Sequence, residues 1–356
     1  MSLFPTIKLK GDPFSMGFAH GRALARQIRT NLSLYFDLIH ASAGLERQRA
    51  LQLVGRFRPV LAEAAPTLMI EMEGIAQGAG VSLESVLVLN ARSELMFPNG
   101  LAGECTTFGL TGERTINGRT LLAQNWDWNP RLKGSSAFFI IEPAQGPRIL
   151  AFAEAGQICK IGLNENGLGV LLNILISRDV EPGVPIHALL RMIIGTADIQ
   201  EAVALARKTP RASSNHALLG DVRGGIIGLE LTPMTVAEIH PTSGAVVHTN
   251  HFCDPLLSKT DWGPSVIPDS SYRLDRAQEL ISAKDRWDSD NLKRILTDHE
   301  NGPSSICRHL DFSDPEHKRM QTVASFILDL FGKRMEVTCG QPCQNHYYDV
   351  NLYQSE

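Results

Sequence analysis

The sequence predicts an α+β protein in which antiparallel sheets pack as a sandwich and are covered by helices. Three observations lead there. The first hundred residues are helix-rich, blocks of short strand candidates follow residue 100, and pairs of helices separate those blocks. The chain has no strict repeat and no low-complexity segment.

The elements follow in order. After a short opening strand, Gly11-Asp-Pro-Phe reads as a turn. From Met16 to about Ala41 apolar residues recur near helical spacing (Ala23, Ile28, Leu32, Tyr35, Leu38, Ile39), which predicts one long helix. Gly17 and Gly21 share one side of its first turns, where they let another backbone come close. Residues 59–77 and 82–95 read as two more helices; Ser82 is an N-cap candidate, and Ser85 occupies the place of a capping-box Glu. Beyond residue 100, Cys105-Thr-Thr-Phe-Gly-Leu is strand-like, 112–118 is turn-rich and 119–124 returns as a second strand, together a β-hairpin. Strands follow at 137–142, 148–153 and 168–175, the last after the hairpin turn Asn164-Glu-Asn-Gly. Helices are expected at 186–195 and 199–208, strands at 214–221, 225–232, 235–239 and 245–249, helices near 272–283 and 289–298, and final strands near 322–330 and 334–339. The stretch 253–270, rich in Pro, Ser and Asp, reads as a long loop.

A chain of 356 residues allows one large domain or two medium ones. Its 43% hydrophobic and 20% charged residues are ordinary for a soluble enzyme. A net charge of −4 gives no bulk drive toward nucleic acid or an anionic membrane, so neither is expected as a partner. The start lacks a basic region followed by an apolar run, no apolar stretch nears the ~20 residues of a spanning helix, and the last residues carry no address signal. A cytoplasmic location is the expectation. The six cysteines, Cys105, Cys159, Cys253, Cys307, Cys339 and Cys343, are spread along the chain and are expected mostly as free thiols. Cys339 and Cys343, with His346 nearby, lack the closer spacing and second pair of a structural zinc site, and read as two packed thiols. No metal and no cofactor is expected. His299-Glu300 is not followed by the second His of a metalloprotease helix, and no Gly-x-Ser-x-Gly elbow or phosphate loop is present.

Four segments carry the functional reading: Gly103-Glu-Cys-Thr-Thr-Phe-Gly, Gln124-Asn-Trp-Asp-Trp, His248-Thr-Asn-His-Phe and Ser304-Ser-Ile-Cys-Arg-His. Taken alone, Cys-Thr-Thr reads as a buried strand thiol. In their order along the chain, these segments resemble the acyl-coenzyme A:isopenicillin N acyltransferase family, a self-cleaving N-terminal-nucleophile group. The resemblance extends over nearly the whole chain through Gly11-Asp-Pro-Phe-Ser-Met-Gly-Phe-Ala-His-Gly, Gly74-Ile-Ala-Gln-Gly-Ala-Gly, Leu89-Asn-Ala-Arg-Ser-Glu-Leu, Lys160-Ile-Gly-Leu-Asn-Glu-Asn-Gly-Leu-Gly-Val and Gly183-Val-Pro-Ile-His-Ala-Leu-Leu-Arg. It implies a four-layer α-β-β-α sandwich with two antiparallel sheets between helical layers. It also implies cleavage between Glu104 and Cys105, residues 1–104 and 105–356 being two subunits of one globule.

The chemistry is consistent on its own terms. A Cys inside a chain has no α-amine, and a cut before Cys105 supplies one. An α-amine ordinarily titrates at ~7.7–8.0, near the operating pH of a general base. It can take the thiol proton, as the amine of an N-terminal Thr does for its hydroxyl. With a free thiol near ~8.5, little help is needed to form thiolate. The resemblance assigns Asp127 to the new ammonium, the Asn250 amide to the oxyanion hole, and Arg308 to the neighbourhood of the nucleophile, where it would lower the thiol pKa and steady the carboxylate. Thr107 is a hydrogen-bonding candidate, and Trp126 and Trp128 are candidates for a substrate pocket. His248 and His251 flank Asn250, but a papain-like role is not expected of either. Family members often carry Gly before the Cys; here it is Glu104, with Gly103 one residue earlier to supply backbone freedom.

The expected function is therefore an acyl-enzyme on Cys105, formed from a small amide or acyl thioester and passed to water or an amine. Glu104 in place of Gly motivates an alternative, a non-processing relative that binds a small acyl or peptide ligand without turnover. Self-association into a homo-oligomer stays open.

Overall fold

The computed structural model describes residues 4–96, 103–177 and 179–354. Strand β1 (Thr6–Gly11) leads into seven helices, α1 (Pro13–Ala23), α2 (Ala25–Ala43), α3 (Arg47–Val54), α4 (Arg58–Ala64), α5 (Pro66–Ala79), α6 (Leu83–Asn90) and α7 (Arg92–Met96). Local chemistry sets several ends. The Asp12 side chain accepts from the Ser15 N–H with Pro13 in the first turn of α1, and Ser82 accepts from Ser85 at the start of α6. The long helix expected over 16–41 is two helices, because Leu24 leaves the helical region at φ −117°. The helix expected over 59–77 is likewise divided. Pro66 cannot continue a helix, and it forces Ala65 out of the α region, to φ −145°. The periodicity did not reveal α3, a short helix, half of it polar, that buries only Ala50 and Val54.

Next come β2 (Glu104–Leu110), β3 (Leu121–Trp128), β4 (Ser136–Pro143), β5 (Ile149–Glu154), β6 (Ile161–Asn164) and β7 (Gly169–Ile174). Helices α8 (Ile186–Ile194) and α9 (Ile199–Lys208) precede β8 (Asn215–Gly220), β9 (Ile226–Leu231), β10 (Val236–Ile239) and β11 (Ala245–His248). Helix α10 (Gly263–Val266) is a short turn inside the expected loop 253–270. The chain closes with α11 (Ser270–Ser282), α12 (Ser289–Leu296), β12 (Gln321–Asp329), β13 (Arg334–Cys339) and β14 (Tyr348–Asn351). The short strands β6 and β14 are not among the expected ones.

The strands form an eight-stranded sheet, β1-β4-β5-β6-β7-β8-β9-β10, and a six-stranded sheet, β11-β2-β3-β12-β13-β14. One pairing departs from the antiparallel expectation: β1 runs parallel to β4. Seven helices separate those two strands in sequence, so no hairpin constrains them. Strands β2, β3, β5, β7, β8 and β9 are buried at every residue. Both faces are covered, so β5, β7 and β9 read as near-continuous apolar runs instead of alternating, while β2, β3 and β8 carry buried polar side chains.

Four layers result. Helices α11 and α12 cover the outer face of the six-stranded sheet through Phe108, Ala123, Ala277, Ile281, Leu292 and Ile295. The two sheets pack face to face, and α8, α9 and the N-terminal helices cover the eight-stranded sheet. Among the described residues no helix is long and apolar enough to cross a membrane.

The expected close approach at Gly17 and Gly21 is made by α5. A Cβ at Gly17 would collide with the Glu71 carbonyl and one at Gly21 with the Ile75 carbonyl; Gly74 and Gly78 face Phe14 and Phe18 in the same way. Gly21→Ala therefore overpacks a backbone-to-backbone crossing. A loss of about 1–3 kcal/mol is expected in denaturant unfolding, since no side chain can rotate away; unchanged stability would show that α1 and α5 slide apart freely.

Candidate active site

The site is built on the β2–β3 hairpin. Its register sets Glu104 opposite Asp127, Cys105 opposite Trp126 and Thr107 opposite Gln124. On the other flank of β2, His248 pairs with Thr107, which brings Asn250 level with Cys105 just past the end of β11. Strand residues alternate between faces. Thr107 donates to Asn173 Oδ1 (2.6 Å) and Gln124 donates to the Leu172 carbonyl (2.7 Å), so this set faces β7 of the second sheet. Glu104, Thr106, Asn125 and Asp127 face the α11–α12 side, where Asn125 donates to the carbonyls of Leu296 and Ile306 (both 2.8 Å).

On that outer side five charges meet in a buried cluster. Arg273, from the first turn of α11, donates to Glu104 Oε2 (3.1 Å) and Asp269 Oδ2 (2.7 Å). It also donates to the Cys105 carbonyl (2.9 Å), Thr106 Oγ1 (3.1 Å) and Asn250 Oδ1 (3.1 Å). Arg308 donates to Asp269 Oδ2 (2.6 Å) and, through a very short bond, to Glu104 Oε2. Asp127 Oδ1 accepts from Thr322 (2.6 Å), whose oxygen accepts the Arg308 N–H (2.9 Å). The second oxygen of Asp127, Oδ2, is buried without a hydrogen-bond partner. Three carboxyls face two guanidiniums here. Burial pushes Asp127 up to about 6 and Glu104 up to about 7 against the pull of Arg308 and Arg273. Asp269, less deeply set, is held down to about 2 by the same two arginines despite burial.

The thiol lies on the inner side. Cys105 is 2% exposed. Burial pushes its thiol up to about 12, Lys160 pulls it back, Asp127 pushes it further, and Gln124 and Arg273 pull weakly. This corrects the expectation of a thiol needing little help, because the solution value holds for an exposed group. The cations acting on the thiol are Lys160 and Arg273, whereas Arg308 acts on the carboxylates. Lys160 Nζ sits 3.7 Å from the centre of the Trp126 ring and 3.2 Å from Glu154 Oε1. Burial lowers it to about 7, against the pull of Glu154.

Asn250 is placed with a fixed orientation. Its Oδ1 accepts from the Cys105 N–H (2.9 Å) and from Arg273, while its Nδ2 donates to the Ile174 carbonyl (3.0 Å). Two donors on one side and an acceptor on the other leave no ambiguity between oxygen and nitrogen. The carbonyl end of Asn250, not the amide end, faces Cys105, and one Nδ2 hydrogen goes to the Ile174 carbonyl. Thr107 does bond within the site, through Asn173, which donates to the Cys105 carbonyl (3.2 Å).

Trp126 and Trp128 are both buried. Trp126 lines a cleft of about 190 Å³ with Leu132, Gln321 and Val323. Trp128 packs under Arg92, 4.4 Å from its ring centre, as a core residue. Gly103 supplies space and no unusual backbone: a Cβ there would strike the Trp128 ring. His248 is tied to Glu230 (2.8 Å), its bonds to Cys253 and Glu230 carrying it up to about 10 against burial. Cys343 is exposed instead of packed. Sequence reasoning missed Arg273, Asp269 and Lys160. The first two form an i,i+4 acid–base pair at the start of a helix, a pattern ordinary enough to pass as a surface pair.

The fold is that of the N-terminal-nucleophile hydrolases. Two crystal structures of variants of the conjugated bile acid hydrolase from Clostridium perfringens superpose with TM-scores of 0.50 and 0.51, at 16% identity, over 70% of this chain and 95% of theirs. The family described as acyl-coenzyme A:6-aminopenicillanic acid acyl-transferase matches residues 114–344. The 40 kDa form of acyl-coenzyme A:6-aminopenicillanic-acid-acyltransferase from Emericella nidulans is 30% identical over 346 residues, 94% of this chain and 92% of its own. The chain belongs to the acyl-coenzyme A:6-aminopenicillanic acid acyl-transferase family. It is an enzyme of that acyltransferase family.

The raised value of Asp127 has a consequence for stability. Its folded form keeps a proton that the unfolded chain loses near 3.8, so its contribution is present at low pH and falls away as pH rises toward about 6. In a Cys105→Ala background, Asp127→Asn should remove a fall of about 3 kcal/mol across that window, read by urea unfolding at each pH. Parallel curves for the two proteins would mean that Asp127 is ionised throughout.

Proposed function

We propose that the chain cuts itself between Glu104 and Cys105, and that the released Cys105 is the nucleophile of an amidohydrolase or acyltransferase. The supporting observation is a mismatch at one nitrogen. The Cys105 peptide nitrogen has one hydrogen, given to Asn250 Oδ1, yet the buried Asp127 Oδ2 of the neighbouring strand still lacks a donor. An α-ammonium has three hydrogens, enough to keep the bond to Asn250 and to offer another toward Asp127.

In the first stage Cys105 Sγ attacks the Glu104 carbonyl carbon. The C–N bond breaks, the nitrogen takes up the thiol proton and becomes the α-amine, and Glu104 is left as a thioester. Water hydrolyses that thioester to a carboxylate and restores the thiol. The Glu104 side chain, gripped by Arg273 and Arg308, fixes the peptide for this step. A glutamate at this position is thus an anchor and not a defect. In turnover the amine takes the Cys105 proton, and the thiolate attacks an amide or acyl thioester. The leaving group departs with that proton, and the acyl group passes to water or an amine. The free hydrogen of Asn250 Nδ2 points the amide dipole at the developing oxyanion. The name of the Emericella nidulans relative supports an acyl thioester as donor.

Residues 1–104 and 105–356 stay one globule after the cut. Arg92 and Tyr35 both bind the buried Glu154, and Asn31 donates to the carbonyls of Ser135 and Ala155 (both 3.0 Å).

Denaturing mass spectrometry of the purified protein tests the cut. Two fragments meeting at Glu104 and Cys105 are expected, and Cys105→Ala should leave one chain with no turnover. An uncut wild-type chain with full amidase or acyltransferase activity sinks the mechanism; an uncut chain that ignores acyl thioesters points to the non-processing binder. Asn250→Ala should cut turnover about 10²–10³-fold with folding preserved, and unaltered turnover removes it from the oxyanion role.

A further inference from the structure

Outside the nucleophile site, four side chains from three segments of the chain converge at one point. Cys307 Sγ lies 3.6 Å from Cys343 Sγ. His309 Nε2 lies 3.8 Å from Cys307 Sγ, 3.4 Å from Cys343 Sγ and 3.1 Å from His299 Nε2. All four atoms fall within 4.8 Å of one another. A tetrahedral zinc ion, with Zn–S of about 2.3 Å and Zn–N of about 2.0–2.1 Å, sets its sulfurs about 3.8 Å apart, its nitrogens about 3.3 Å apart and mixed pairs about 3.6 Å apart. The four separations given lie within a few tenths of an ångström of those values, and the two from His299 to the sulfurs lie within 4.8 Å. Both imidazoles also turn the same nitrogen, Nε2, inward, an arrangement in which one proton at most fits between the rings.

We propose that His299, Cys307, His309 and Cys343 form a tetrahedral Cys2His2 site for a structural zinc ion. Two Zn–S and two Zn–N bonds form, both thiol protons leave to solvent, and the imidazoles bind as neutral ligands. Two thiolates cancel the charge of the dication, which suits a site where Cys307 is buried and His309 half-buried. Four protein ligands fill the coordination sphere and leave no position for substrate, so the ion is structural. Its position gives it a purpose. Arg308 lies between two of the ligands, and the ion ties its loop to the segment after α12 through His299 and to the β13–β14 connection through Cys343. The spacing hides the site from a sequence scan: His299 precedes His309 by 10 residues and Cys343 follows it by 34.

The test is metal content. Protein expressed with added zinc and purified in reducing, chelator-free buffer should carry about one zinc per chain by inductively coupled plasma mass spectrometry. Replacement by Co2+ should give thiolate charge-transfer absorption and the intense visible bands of a tetrahedral ion. Cys343→Ser and His299→Ala, both at exposed positions, should each lose most of the metal, while Cys339→Ser keeps it. The proposal is overturned if the reduced wild-type protein takes up neither zinc nor cobalt, if both ligand variants keep full stoichiometry, or if Cys307 and Cys343 form a disulfide quantitatively in the zinc-supplied protein.

Discussion

A single buried side chain organises the site. Arg273 has five N–H donors and all five are engaged: one with Asp269, two with the Cys105 carbonyl and Thr106, two with Glu104 and Asn250. It thus grips the strand on both sides of the Glu104–Cys105 peptide bond, and also the residue that holds the Cys105 nitrogen. A guanidinium suits this because it stays charged and presents its donors in a rigid plane; a lysine has too few donors, each free to rotate. With no exposed surface, Arg273 also requires carboxylates around it, so Glu104, Asp269 and Asp127 follow from its burial.

That cluster is unbalanced, with three carboxyls against two guanidiniums in a dry environment. Burial is the main cause that raises Glu104 and Asp127, and the neighbouring carboxyls add to it against the pull of the arginines. Under the proposed mechanism, cleavage places an ammonium beside Asp127. The cation offsets the excess charge, and the carboxylate in turn holds the amine in place. The same low dielectric that makes Cys105 a poor acid disfavours separated charges, so a proton passed from the thiol is stabilised only where thiolate and ammonium form a close pair. Burial therefore raises the barrier for the thiol acting alone and rewards the arrangement in which the nucleophile carries its own amine.

How much of this was legible depends on how local each feature is. The β2–β3 hairpin was legible because a turn-rich stretch between two apolar runs fixes its pairing, and the register then places Asp127 beside Glu104. The four layers came from the resemblance, and the antiparallel sandwich from the strand blocks themselves. Arg273 was not legible. It is 168 residues from Cys105, and a helix with Arg at two positions does not say which of them turns inward. The thiol value was misread for the same reason, since residue type gives the solution pKa and only the fold gives burial. Lys160 opens one of the segments that carry the resemblance, yet its contact with Trp126 depends on how β6 meets β3 across the sandwich. Helix breaks divided likewise: Pro66 announces its own, whereas nothing in the residues around Leu24 does.

Alternation along β2 gives the site its division of labour. Side chains of consecutive residues point to opposite faces, so the Cys105 thiol meets Lys160, Gln124 and Trp126 on one face, while Glu104 meets the arginines and Asp127 on the other. A side-chain base on the carboxylate face cannot reach the thiol without crossing the strand. The backbone nitrogen of Cys105 lies in the plane of the sheet, between the two faces, and is covalently two bonds from the carbon that bears the sulfur. It is held there by Asn250 from the strand edge. Of the groups in this site, it alone is positioned to exchange a proton with the thiol on one side and lean on Asp127 on the other. It becomes a base only by leaving its peptide bond. Under the proposed mechanism, cleavage at Glu104 is the step that assembles the catalytic group, and the arginines that hold Glu104 direct that step to one bond.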